Sequence, residues 1–208
     1  SADGIGGAVG NNIQVIRTGS PINSFFVLEH ILNEDGNPRN DLTDFNDDGT
    51  IDDLDMYVDQ NGDGIINESD RVVGEQPAPD FLLGMTSNMN YKNFDLSFTL
   101  RANLGNHVYN NVLSANSALQ SVTNLSAPPT NILTRGLVTN FSFPQFFSDF
   151  YVEDASFLRM DNITLGYTAD DLFNQLNARL YVTAQNLFVL TDYNGLEPEL
   201  QSGIDNNV

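Results

Sequence analysis

Two acidic stretches of the sequence share a spacing that suits a calcium ion. They read DFNDDGTIDDLD over residues 44–55 and DQNGDGIINESD over residues 59–70. Each places side-chain oxygens at positions 1, 3 and 5, Gly at position 6, an apolar residue at position 8 and a carboxylate at position 12. Alternate side chains of this kind converge on a hard cation, and the Gly allows a sharp turn. The sequence therefore predicts tandem calcium-binding loops.

The template also assigns the ligands. In the first loop they are Asp44, Asn46, Asp48, the carbonyl of Thr50, Asp52 (directly or through water) and Asp55. In the second they are Asp59, Asn61, Asp63, the carbonyl of Ile65, Asn67 and Asp70. Only three residues separate the loops and no amphipathic helix enters them, unlike a sensor EF-hand. We expect one or two structural Ca²⁺ ions; the alternative is a solvated Asp- and Asn-rich turn without an ion.

Little else in the sequence suggests chemistry. The chain has no cysteine, and its two histidines, His30 and His107, lack partners at any metal or catalytic spacing, so we expect both to be structural. No nucleophile or phosphate-binding motif occurs, which disfavours an enzyme. The net charge of −20 argues against nucleic acid, because binding phosphates requires Lys and Arg. Thirteen of the 28 acidic residues lie between Glu34 and Asp70, so the charge is concentrated at the predicted loops.

The elements that carry these loops alternate apolar and polar residues with a period of two, which predicts an all-β chain. Residues 83–91 and 94–103 form one predicted hairpin around Lys92-Asn93, and residues 155–167 and 178–191 form a second. A weaker pair, residues 12–18 and 24–31, is joined by residues 19–23. In residues 178–191 one face is expected to carry Leu180, Val182, Ala184, Phe188 and Leu190, interrupted by Asn186.

The connections help to choose between a soluble sandwich and a membrane barrel. Links within pairs are short, at residues 19–23, 92–93 and 169–177, whereas the two links between pairs run for about fifty residues from Leu32 and from Leu104. Short turns at one end and long loops at the other are typical of outer-membrane barrels, and soluble domains seldom carry such long loops. This pattern favours the barrel but leaves the sandwich open.

Several motifs resemble SusC/RagA-type TonB-dependent transporters. The run PAPDFLLGMTSNMNYKNFDLSFTLRANLGNHVYNN resembles their closing strands, and DASFLRMDNITLGYT and LYVTAQNLFVLTDYNGLEPE resemble the next two. SPINSFFV resembles an upstream hairpin, and a D.N.DG.I...D element before the Pro-rich lead is typical of the family. The resemblance implies about six C-terminal strands of a 22-stranded antiparallel transmembrane β-barrel with long extracellular loops, covering residues 1–208. No plug domain or final strand is visible, so we expect a part of a longer receptor.

The resemblance also implies a function and partners. Such receptors import glycans or peptides through the outer membrane of Gram-negative, Bacteroidetes-like bacteria, with a SusD-type lipoprotein, TonB and an oligosaccharide or peptide substrate as partners. Residues 32–80, with the loops at 44–55 and 59–70, would then be extracellular. The alternative is a soluble, calcium-stabilised β domain of an adhesion or scaffold protein. The aromatic cluster over residues 141–151 is expected to form a loop core or an interface girdle, with stacking on sugars or peptides as the alternative. Arg101 and Arg159 are expected to face the lumen.

Overall fold

The computed structural model describes residues 12–123, 132–172, 176–200 and 202–205. The chain divides into two compact units. The loop unit comprises Ser1–Ala78, His107–Asp154 and Asn194–Val208, and the sheet unit comprises Pro79–Asn106 and Ala155–Tyr193. Among the described helices, none is long and apolar enough to span a bilayer.

The described chain forms short strands in the loop unit and long ones in the sheet unit. The strands are β1 (Gln14–Val15), β2 (Ser24–Leu28), β3 (Arg71–Val73), β4 (Phe81–Tyr91), β5 (Phe94–Leu104), β6 (His107–Tyr109), β7 (Val152–Asp154), β8 (Phe157–Leu172) and β9 (Leu176–Thr191). The α-helices are α1 (Asn111–Asn116), α2 (Gln120–Thr123) and α3 (Gly136–Thr139). Three 3₁₀-helices cover Asp53–Asp55, Glu68–Asp70 and Asp149–Tyr151.

The sheet unit is one antiparallel sheet in the order β4-β5-β8-β9. Its strands are 11 and 16 residues long, which is long for a small sheet. β4 and β5 are joined by the two-residue turn Lys92-Asn93, where Lys92 adopts φ 52°. β8 ends at Leu172 and β9 begins at Leu176, at the same end of the sheet as this turn. The long connections begin and end at the opposite end of the sheet, where Phe81, Leu104, Phe157 and Thr191 lie.

The register separates the sheet into an apolar face and a mostly polar face. Met89, Leu96, Leu165 and Val182 form one row across all four strands, and the neighbouring row on the other face is Asn88, Ser97, Thr164 and Thr183. The apolar face is uncovered: Met89 is 50% exposed, Leu165 53% and Val182 70%. An exposed apolar surface of this extent marks an interaction surface rather than an ordinary water-facing sheet.

A β-bulge keeps apolar side chains on one face of the sheet along the whole of β8 and β9. The pairing shifts between Met160 and Asn162, opposite Asn186 of β9, which adopts φ 49°. A bulge inserts an unpaired residue and resets the alternation beyond it. On β8 the apolar face therefore passes from Leu165 and Ile163 to Met160 and Leu158, which pair with Phe188 and Leu190 of β9. The sequence interpretation of Asn186 as an interruption of a single face is confirmed.

The loop unit has its own core. β1, β2 and β3 form a small antiparallel sheet, and β6 pairs with β7. The buried apolar side chains of this unit come from segments far apart in sequence: Ile13, Phe25, Val27, Tyr109, Leu113, Phe141, Phe147, Tyr151 and Ile204. Because these residues pack together, the long connections of the sequence form a folded body.

Three expectations need correction. The weaker pair predicted over residues 12–18 and 24–31 is antiparallel, but its strands cover only residues 14–15 and 24–28 and pair next with β3 in the loop unit. The long connections hold short helices and a buried core, which periodicity did not reveal because the helices have only four to six residues. The link predicted over residues 169–177 is shorter, since β8 continues to Leu172 and β9 begins at Leu176.

Candidate functional site

The first acidic loop folds around its own side-chain oxygens. Three of them each accept a backbone N–H further along the loop: Asp44 Oδ2 from Gly49 at 2.9 Å, Asn46 Oδ1 from Asp48 at 2.9 Å, and Asp48 Oδ1 from Thr50 at 2.8 Å. These bonds satisfy the backbone of a tight turn and draw the side chains of positions 1, 3 and 5 to one side of it.

The second loop repeats this pattern fifteen residues later. Its equivalent bonds run to Asp59 Oδ2 from Gly64 at 2.8 Å, to Asn61 Oδ1 from Asp63 at 2.8 Å, and to Asp63 Oδ1 from Ile65 at 2.9 Å. Positive φ angles also recur, at position 4 (Asp47, 62°; Gly62, 73°) and at position 6 (Gly49, 88°; Gly64, 79°). The two loops are therefore structural repeats and not only sequence repeats.

The carboxylates at position 12 brace the loops. Asp55 Oδ1 accepts N–H groups from Phe45 at 2.7 Å and Asn46 at 3.0 Å, and its Oδ2 accepts that of Asp52 at 3.1 Å. Asp70 does the same with Gln60 at 3.1 Å and Asn67 at 2.8 Å. Both aspartates are fully buried. The template spacing marked them as ligands, but their role in closing each loop emerges only from the structure.

These hydrogen bonds also affect protonation. Burial works to raise the pKa of Asp55, but the backbone N–H groups of Asp52, Phe45 and Asn46 outweigh it and hold that pKa below its usual value. The N–H of Gly64, followed by others of its loop, likewise lowers the pKa of Asp59. The carboxylates of Asp55 and Asp59 are therefore stabilised as anions.

One carboxylate oxygen in the first loop is buried without a hydrogen-bond partner among the described residues. Asp44 Oδ1 is buried and accepts no hydrogen bond from the described residues, whereas its partner oxygen bonds to Gly49. A buried anionic oxygen without a partner is costly, and a cation would offset that cost. Within the described residues, no three acidic, His or Cys side chains converge closely enough to hold an ion alone. The expected ligand set adds amide and backbone oxygens, which calcium accepts.

His30 has a structural role, as expected. It is 5% exposed, its Nδ1 lies 2.9 Å from Ser148 Oγ, and its Nε2 lies 2.8 Å from the carbonyl oxygen of Arg39. Since only a protonated Nε2 can donate to that carbonyl, a neutral ring accepts from Ser148 at Nδ1. Burial lowers the pKa of His30 to about 4 against the opposing effect of the Arg39 carbonyl, so the ring is neutral near pH 7.

The aromatic cluster over residues 141–151 is mainly core. Phe141, Phe147 and Tyr151 are buried, and Phe146 and Phe150 pack against the same core. Phe143 differs, because it is 59% exposed. Its backbone N–H, with that of Ser142, donates to the carboxylate of Asp41 at 3.0 and 2.7 Å. This bridge joins segments a hundred residues apart, and nothing in the local sequence pattern could have predicted it.

The ion pairs of the sheet unit lie on its polar face. Arg101 pairs in register with Arg159, and its guanidinium lies 3.2 Å from the carboxylate of Asp161, the bulged residue of β8. Arg179 meets Asp95 at 2.6 Å. The placement of Arg101 and Arg159 opposite the apolar face agrees with the sequence prediction.

Comparisons with known proteins agree with the motifs. The chain is 37% identical over 220 residues to the TonB-dependent receptor SusC of Bacteroides thetaiotaomicron, a match that covers 95% of this chain and 19% of the receptor. It is 32% identical over 212 residues to the TonB-dependent receptor P3 of Formosa agariphila, covering 93% of this chain and 20% of that one. No family model matches the chain. The chain thus spans about a fifth of the length of these curated relatives.

Solved structures agree on the fold. The RagAB peptide importer in its 'closed-closed' state superposes with a TM-score of 0.65 at 20% identity, covering 95% of this chain and 22% of that one. The same importer in its 'open-open' state gives a TM-score of 0.60 with the same coverage. At this identity the match establishes the fold of the described chain as that found in such transporters.

Proposed function

Since the chain belongs to the SusC-type TonB-dependent receptors, we propose that it forms part of the wall and outer loops of an outer-membrane nutrient importer. One observation carries the proposal above the others. The four-stranded sheet exposes a continuous apolar face and keeps its ion pairs on the opposite face. Its short connections all lie at one end of the strands. Lipid on one side and a watery lumen on the other require this arrangement.

The strand lengths support a transmembrane position. A tilted strand crosses the hydrocarbon core with about 9–11 residues, and β4 and β5 have 11 residues each. Tyr91, Phe94 and Tyr167 lie together on the apolar face near the short turns, with the rings of Phe94 and Tyr167 4.9 Å apart. Aromatic side chains are enriched where a barrel meets the membrane interface. The short turns would then face the periplasm, and the long connections the outside.

The proposed partners follow from the family. A SusD-type surface lipoprotein would cover the receptor, TonB would drive transport through a region outside this chain, and outer-membrane lipid would surround the sheet. RagAB is described as a peptide importer. The resemblance to SusC/RagA-type receptors also implies glycans as substrates. An oligosaccharide or a peptide is therefore the proposed substrate class. The proposed location is the outer membrane of a Gram-negative, Bacteroidetes-like bacterium.

Calcium completes the proposal for the outer loops. In the first loop Asp44, Asn46, Asp48, Thr50, Asp52 and Asp55 would hold the ion, and in the second Asp59, Asn61, Asp63, Ile65, Asn67 and Asp70. The unpartnered Asp44 Oδ1 and the repeated turn geometry support this assignment. A bound ion would add electrostatic cross-links between carboxylates that otherwise repel one another. Its role would be to stiffen residues 32–80.

An uptake experiment tests the importer. A strain lacking the gene for this receptor, a strain lacking TonB and the parent are grown on a panel of oligosaccharides and peptides as sole nutrient. We expect both mutants to lose growth on the same subset, with the receptor found in the outer-membrane fraction. If the receptor were recovered as a detergent-free soluble protein and its deletion left growth unchanged on every compound, the soluble-domain alternative would replace this proposal.

A further inference from the structure

The loop unit contains a cavity of about 530 Å³ between Asp41 with the end of the first acidic loop, within residues 51–57, on one side and residues 143–147 on the other. Its lining includes the aromatic residues Tyr57, Phe143, Phe146 and Phe147 and the acidic residues Asp41, Asp52 and Asp53. A cavity of this size is within the range that binds small ligands or single side chains of a larger ligand. Neither the calcium loops nor the sheet requires it.

The cavity wall is fixed on one side and exposed on the other. Tyr57 is buried and donates its hydroxyl to Gln145 Oε1 at 2.9 Å, while Asp41 is held by two backbone N–H groups. At the rim, Phe143 is 59% exposed and Ile51 52% exposed. Tyr57 and Asp41 are held in place by hydrogen bonds, and Phe143 and Ile51 are exposed beside them. This arrangement suits a preformed site whose ligand would cover the exposed apolar side chains.

The charge of the lining selects among ligands. Three carboxylates line the cavity, and no Lys, Arg or His is among the lining residues. The side chain of Asp53 makes no hydrogen bond or ion pair within the described residues, in contrast to Asp41. A neutral sugar would leave this charge uncompensated. An organic cation offsets it, and the exposed ring of Phe143 adds a cation–π attraction that an inorganic ion with its hydration shell exploits less well.

We propose that this cavity binds the ammonium or guanidinium group of a Lys or Arg side chain in a peptide ligand. The carboxylates of Asp41 and Asp53 face the cationic group, and Phe143 covers the alkyl stem. Asp52 serves both sites, since it lines the cavity and is also the ninth-position ligand proposed for the first calcium loop. Because the proposal names a substrate class, it rests on the proposed importer function.

The test is calorimetric titration of the intact receptor, purified in detergent with calcium present. The probes are a short peptide with a central Lys and the same peptide with norleucine in its place, which keeps the alkyl stem and removes the charge. We expect the Lys peptide to bind at least about tenfold more tightly, and salt to weaken it. Equal affinity for the two peptides would overturn the proposal.

Two variants locate the binding. Asp53→Asn and Phe143→Ala should each reduce affinity for the Lys peptide by about tenfold, while Glu34→Gln, an exposed acidic residue outside the lining, should not. Calcium binding by Asp53→Asn must stay normal, which separates loss of the cationic site from damage to the adjacent loop. Unchanged peptide affinity in both cavity variants would contradict the assignment.

The two proposals fail differently. A receptor that selects the Lys peptide in detergent but whose deletion leaves uptake intact would keep the cavity site and remove the importer. Conversely, a receptor required for uptake that does not distinguish Lys from norleucine would keep the importer and remove the cavity site.

Discussion

Individual carboxylates of the acidic loops differ in the hydrogen bonds that they accept. Asp55 and Asp70 are buried and bonded to the backbone of their own loops, whereas Asp44 retains a buried oxygen that accepts nothing from the described residues. The ligand template explains why Asp occurs at these positions, but not which oxygens are already in use. That distinction depends on loop closure, which brings position 12 back to position 2.

Removing one ligand from each loop should abolish calcium binding there. In Asp48→Ala combined with Asp63→Ala, the carboxylate at position 5 is lost from both proposed sites. We expect the calcium stoichiometry of the intact receptor, measured by calorimetry, to fall by one or two ions per receptor. Asp35→Ala, an exposed acidic residue outside both loops, serves as the control. Identical stoichiometry in the double variant and the parent would remove the ligand assignment.

The buried imidazole of His30 should make stability depend on pH. The folded pKa of His30, about 4, lies below the ordinary histidine value of 6.5, so the unfolded chain binds more protons between these values. Stability is complete above about pH 6.5 and is lost as the pH falls towards 4, by about 3 kcal/mol in total if the loop unit unfolds cooperatively.

Calorimetric melting of the receptor between pH 4 and 7 measures this effect. We expect the melting temperature to fall towards pH 4 in the parent and in His107→Gln, and the slope to be shallower in His30→Gln. A His30→Gln receptor with the parental pH slope would show that other groups control the transition.

At the scale of elements, strand β8 passes so close to the side chain of Asp95 that residue 166 has room only for a glycine unless Asp95 moves. A Cβ on Gly166 of β8 would clash with a carboxylate oxygen of Asp95, the partner of Arg179. Gly84 of β4 lies on the same polar face, and a Cβ there would meet nothing within 4 Å. Substitution of Gly84 therefore serves as the control for substitution of Gly166.

Gly166→Ala should destabilise the receptor by about 1–3 kcal/mol, because the Asp95–Arg179 pair must move to make room. Gly84→Ala should be close to neutral. Thermal melting in detergent provides the comparison. Equal melting temperatures for the two variants would mean that the close approach at Gly166 relaxes without cost.

Sequence patterns predicted the sheet better than the loop unit, for a physical reason. In β4, β5 and β9 apolar and polar residues alternate along each strand. The sequence alone therefore shows the two faces of the sheet and the interruption at Asn186. The loop unit depends on contacts such as Asp41 with Ser142, which no local period encodes. The cavity beside Phe143 arises from the same long-range packing and was likewise not predictable.

At the scale of the whole molecule, acidic charge and apolar surface are segregated. Most of the imbalance behind the net charge of −20 lies in the loop unit, where calcium and a cationic ligand would offset it. The sheet unit instead has the ion pairs Arg101–Asp161 and Arg179–Asp95 on one face and an exposed apolar surface on the other. This segregation is what an importer needs, with a lipid-facing wall and outer loops that meet the substrate.

Accessibility of two neighbouring rows of the sheet tests the barrel wall most directly. The chain contains no cysteine, so single spin labels are introduced at Leu96 and Val182 on the apolar face, and at Ser97 and Thr183 on the polar face. The receptor is reconstituted in bilayers and collisions with oxygen and with a water-soluble nickel complex are measured. We predict that the first pair is accessible to oxygen and shielded from nickel, and that the second pair shows the reverse. Equal exposure of both pairs to nickel would contradict a membrane-spanning sheet.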